Sequence, residues 1–118
     1  MTSPDPLVQH YYALNPAEFG FLGLLELRQS VQPEEWLGLT LVLRLRSPTT
    51  PERTYLRLEF SRVQDLRVGP LEGLLRYFFE IRSVRERQLE DINYQVVESE
   101  HSAFSFVCSS FIATLESV

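Results

Sequence analysis

The 118-residue chain has a net charge of −5, a hydrophobic share of 44% and a charged share of 23%, the balance of a globular domain long enough to bury its own core. The acidic surplus disfavours nonspecific nucleic-acid binding, which needs basic groups to displace counterions, and no apolar run reaches the roughly 18 residues that span a bilayer as a helix. Cys108 is the only cysteine, which excludes an internal disulfide framework. The opening Met1-Thr2-Ser3-Pro4-Asp5-Pro6 has neither a basic n-region nor an apolar h-region, so a single cytoplasmic domain over residues 1–118 is expected.

Ser3 or Asp5 can cap a helix over 3–14, with Pro4 or Pro6 in its first turn, where a missing N–H costs nothing. Leu7, Tyr11 and Leu14 share its apolar face, and Pro16 stops it at or before Asn15. Asn15-Pro16-Ala17-Glu18 has capping-box spacing. A second helix to about Gln29 is one reading, but Gly20 and Gly23 oppose it. The favoured reading is a short helical turn and then a strand over about Phe21–Ser30, with Phe19, Phe21, Leu25 and Leu27 in one phase and Leu22 and Leu24 on the opposite face.

Residues 36–61 carry the plainest signal. Leu37, Leu39, Leu41, Leu43 and Leu45 alternate, as do Leu56, Leu58 and Phe60, so two strands over 36–46 and 54–61 form an antiparallel hairpin with one buried face. The loop between them holds Pro48 and Pro51. The apolar phase slips near Ser61–Gln64, which predicts a bulge or tight turn. Later alternations are Tyr77/Phe79/Ile81, Ile92/Tyr94/Val96 and Phe104/Phe106/Cys108, and Phe111/Ala113/Leu115 resume after a slip at Ser109-Ser110. Arg85–Asp91 suits one helical turn and Glu98–Ser102 a turn. Seven or eight short strands with no long helix between them give a mainly β fold, α+β being the variant: an antiparallel sandwich or strongly curled sheet with an N-terminal helix.

Catalytic signatures are weak. His10 and His101 lack a second ligand at metal spacing, so no metal and no cofactor is expected. Cys108 ends an apolar run and reads as a core residue. Glu90 and Asp91, if on a strand, point to opposite faces, and Ser109-Ser110 lacks the glycines of a nucleophile elbow. No enzyme is expected. The second faces of the strands are more telling. Trp36, Val42, Arg44 and Arg46 alternate with the leucines, and Phe78, Val97, Val107 and Ile112 hold similar positions. A solvated face should be mainly polar. Coverage by the helix or by a second sheet is the simple explanation, and a partner or homodimer interface is the alternative, since Trp, Phe and Arg are enriched there. A small-ligand or enzymatic β domain with a pocket between sheet and helix, lined by Tyr11, Tyr12, Trp36 and Tyr77, is the alternative reading.

Tyr55-Leu56-Arg57-Leu58-Glu59-Phe60, then Val63-Gln64-Asp65-Leu66-Arg67-Val68, and later Phe104-Ser105-Phe106-Val107-Cys108, resemble a pattern in small bacterial β-rich domains that include immunity proteins of polymorphic toxin systems. The resemblance covers residues 54–115 and implies a cytoplasmic, noncatalytic protein that binds and occludes a toxin. Acidic loops, with Glu98 and Glu100 among their residues, would then meet a basic cleft.

Overall fold

The structure, a computed structural model, describes residues 5–30, 38–47, 54–71, 76–87 and 92–117. Trp36, Leu37, the 48–53 loop, Leu74, Leu75 and Leu89 lie outside the described residues. Helix α1 spans Pro6–Ala13, capped by Asp5, whose carboxylate accepts from the Leu7 and Val8 amides at 2.9 and 3.2 Å. A short 3-10 turn, Pro16–Glu18, follows, and then, among the described residues, eight strands: β1 Phe21–Ser30, β2 Gly38–Arg46, β3 Thr54–Ser61, β4 Gln64–Val68, β5 Phe79–Ser83, β6 Tyr94–Glu98, β7 Phe104–Cys108 and β8 Ser110–Ser117. The mainly β reading, the helix and the strand at 21–30 are present, and within the described residues of the expected 36–61 hairpin β2 pairs antiparallel with β3. Asn15 does not form a capping box. It sits in the left-handed region at φ 56° and makes no side-chain cap bond, and only its carbonyl opens the 3-10 turn, accepting from the Glu18 amide at 3.0 Å.

Two four-stranded antiparallel sheets result, β1-β2-β3-β8 and β4-β7-β6-β5. They share a bent ribbon. β3 pairs with β8 from Thr54↔Ser117 to Ser61↔Ser110, and beyond the bend β4 pairs with β7 from Gln64↔Val107. At the corner Arg62 takes φ 55° and the Val63 amide donates to the Leu39 carbonyl at 2.8 Å. Both phase slips seen in the sequence are places where a strand leaves one sheet for the other, the usual way to turn a sandwich corner.

The core lies between the sheets. Leu41, Leu43, Leu45, Leu56, Leu58 and Phe60 face Phe79, Ile81, Val96, Phe104 and Phe106. Aromatic pairs bridge the layers: Phe60 meets Phe106 at 4.8 Å and Phe111 meets Tyr94 at 4.9 Å, both edge to face. Strand β1 departs from simple alternation. A bulge between Leu22 and Leu24 turns Leu22 and Leu25 toward the core and leaves Leu24 beside Arg44. The expected grouping of Phe21 with Leu25 is therefore corrected: the bulge at Gly23 puts them on opposite faces.

Helix α1 closes the gap between edge strands β5 and β8. The Tyr11 hydroxyl donates to the Phe79 carbonyl at 2.6 Å, and the Tyr12 hydroxyl accepts from the Ile81 amide at 3.1 Å. His10 Nε2 donates to the Ala113 carbonyl at 3.0 Å. Three consecutive side chains thus satisfy strand-edge groups that would otherwise recruit another strand. Asp5 anchors the arrangement. Its side chain is only 7% exposed, accepts from the Tyr94 hydroxyl at 2.9 Å, and lies 3.2 Å from Arg85 Nε.

Candidate protein-interaction face

Antiparallel register brings side chains from four strands together on the outer side of the β1-β2-β3-β8 sheet. One row is Glu26, Val42, Glu59 and Ile112; the next is Leu24, Arg44, Arg57 and Thr114; a third holds Phe21, Arg46, Tyr55 and Glu116. Helix α1 does not lie over this face, because it packs on β8 and β5 at the edge of the sandwich.

The charged residues form a lattice. Glu116 lies 3.2 Å from Arg57 and 3.5 Å from Arg44, Arg57 also reaches Glu59 at 3.2 Å, and Glu26 bonds Arg28. The Arg28 bond holds the Glu26 carboxyl below its ordinary range. Arg46 stands 5.6 Å over the Tyr55 ring. Val42 is at the centre, between Glu26 and Glu59 in its row, yet only 2% exposed. Leu24 and Ile112 remain exposed, at 36% and 52%. The face therefore offers apolar side chains beside fixed arginines, the composition that protein partners favour.

Of the residues singled out from sequence, Val42, Arg44 and Arg46 meet here, with Val42 as the floor. Trp36 lies outside the described residues. Glu100 is exposed on the β6–β7 turn of the other sheet, away from them. Glu98 is corrected from a surface contact to an interior residue. It is fully buried, and its carboxylate accepts from the amides of Phe78 and Glu100, both at 2.8 Å, and of His101 and Ala103 at 2.7 and 3.2 Å. Val97 and Val107 lie on the second sheet, so the single mixed face expected from alternation is two faces. Glu26, Arg57, Glu59 and Glu116 were not singled out, because only the strand register shows that they neighbour Arg44.

The residues considered for chemistry have structural partners. His10 is bonded to β8, and His101 sits edge-on to Tyr77 at 5.6 Å. Tyr11 and Tyr77 are core residues and Tyr12 binds β5, so these tyrosines do not converge on one pocket. Among the described residues no group of three His, Cys, Asp or Glu is placed to hold a metal. Cys108 is fully buried, and burial pushes its thiol up to about 12. Because the thiolate is the reactive form, an aromatic disulfide reagent at neutral pH should label Cys108 only as fast as the chain unfolds, and stoichiometric labelling within the mixing time would contradict the placement.

The class defined by this fold and face is a small two-sheet antiparallel β protein whose polar chemistry is spread over a sheet surface. No helix among the described residues is long and apolar enough to cross a membrane. The chain belongs to the immunity protein PIM8 family, whose model it matches over residues 4–114. The match takes in the stretches that carry the sequence resemblance and extends through the helix. Neither the curated proteins nor the solved structures yielded a match.

Proposed function

We propose that the protein neutralises a toxin by binding and occluding it, without catalysis of its own, and that the contact is the outer face of the β1-β2-β3-β8 sheet. Membership of an immunity protein family carries the reading. The engagement of His10, the buried Cys108 and the gathering of Leu24, Arg44, Arg46 and Ile112 on one open face support it. The partner is a protein toxin acting in the same compartment as this chain.

The test uses the toxin domain encoded beside this gene. Titration calorimetry should show a one-to-one complex, and co-expression should restore growth to cells producing the toxin. Arg46→Glu combined with Ile112→Asp should weaken the complex about thirtyfold or more with an unchanged circular dichroism spectrum. A complex untouched by these changes would move the contact elsewhere. Absence of a neighbouring toxin gene, or no binding, would end the toxin reading.

A further inference from the structure

Three of the four sheet edges are blunted. Tyr11 and Tyr12 bind β5, and His10 binds β8. β4 is five residues long and broken by a bulge, with Asp65 at φ 54°. β1 differs. It has ten residues, and among the described residues the backbone pairing on its outer edge is to Arg76 and Tyr77, at Phe21 and Gly20.

The direction of the backbone groups on this edge follows from register. Val63 donates to the Leu39 carbonyl, so odd-numbered residues of β2 aim their backbone at the β3 side and even-numbered ones at β1. Leu24, Glu26 and Arg28 oppose Arg44, Val42 and Thr40 and are bonded into the ladder. Leu25, Leu27 and Gln29 must therefore aim their N–H and C=O groups out of the sheet. Leu27 is 47% exposed although it pairs with fully buried Leu41.

We infer that the β1 edge is a self-association site that takes β1 of a second copy, antiparallel about a twofold axis at Leu27. The charges select this register. Centring on Leu27 sets Glu26 opposite Arg28 of the second copy and Arg28 opposite its Glu26, whereas centring on Glu26 would oppose like charges. The Glu26/Arg28 positions form the pair type whose backbone does not bond across the new junction, where facing side chains come closest. The axis buries the exposed Leu27 against its own copy, and the union makes one continuous eight-stranded sheet from two four-stranded ones.

Sedimentation equilibrium on the full chain tests the inference directly. The wild type should associate to a dimer, and E26R or R28E alone should each weaken it about thirtyfold, since each places two like-charged pairs across the axis. An equimolar mixture of E26R and R28E should regain the affinity as a heterodimer, because each chain then supplies the charge the other lacks. A wild type that stays monomeric at about 1 mM overturns the inference. So does a dimer that both charge reversals leave intact, or a mixture no tighter than either variant alone. Toxin binding plays no part in the measurement, so the two readings fail separately.

Discussion

Replacing Glu98 by alanine should destabilise the protein by about 3–5 kcal/mol, the largest single loss expected outside the apolar core. The carboxylate holds four backbone amides, two on each oxygen, and ties the β6–β7 turn to the approach to β5. Removing it leaves three part-buried donors and one buried donor without their acceptor. Glutamine is a sharper probe. Its NH2 group would face two N–H donors whichever way the amide turns, so Glu98→Gln should still cost about 3 kcal/mol. Burial alone would raise this carboxyl, but the bonds from Phe78, His101, Glu100 and Ala103 outweigh it and hold the group below its ordinary value. A folded-state value below the unfolded one contributes stability above the unfolded value, and the contribution disappears as pH falls through the folded one. Urea melts across that acidic window should show the wild type losing stability where Glu98→Gln changes less. A variant within about 1 kcal/mol of wild type would refute the assignment.

The second large effect belongs to Asp5. One carboxylate caps α1, receives the Tyr94 hydroxyl and lies against Arg85, so it joins the helix to β6. Asp5→Ala should cost about 3 kcal/mol, of which the lost cap is about 1. Asp5→Asn keeps a capping oxygen and should recover part of this loss. Burial raises the Tyr94 hydroxyl and the Asp5 bond raises it further, against an opposing pull from Arg85. Because the folded value lies above the unfolded one, this stabilisation is present below the unfolded value and disappears as pH rises through the folded one. Tyrosinate absorbance should show Tyr94 ionising at lower pH in Asp5→Asn. An unchanged alkaline titration would dissociate Tyr94 from the cap.

Local periodicity made most strands legible, because a two-residue alternation reports which side of a strand is dry. It also located both corners, at Ser61–Gln64 and Ser109-Ser110. What alternation could not supply was the distinction between a kink within one sheet and a passage into another, which depends on pairing between β3 and β8, far apart in the chain. Gly23 carries a signal for the break in β1, since glycine inside a strand often marks a bulge, and the bulge reassigns the faces of the strand. Glu98 is similar: Tyr94, Val96 and Glu98 continue one inward phase, but its charge and the adjoining turn residues suggested solvent. The Arg/Glu lattice was out of reach, because its members come from four strands and meet only through register.

The bent ribbon also fixes an order of events in folding. β1, β2 and β3 are sequential and can form a meander early, yet its leucine face packs on Phe106 and Tyr94 and is completed by Phe111, all from the last quarter of the chain. Helix α1, first in sequence, docks on β8, which is last. Such distant contacts make closure slow relative to hairpin formation. Until β8 arrives, the meander holds an unpaired β3 edge and an uncovered apolar face, the combination most prone to misassembly in partly folded β proteins. Truncation before Phe111 would therefore undo the helix dock at the opposite end of the chain, and the two ends persist or fail together.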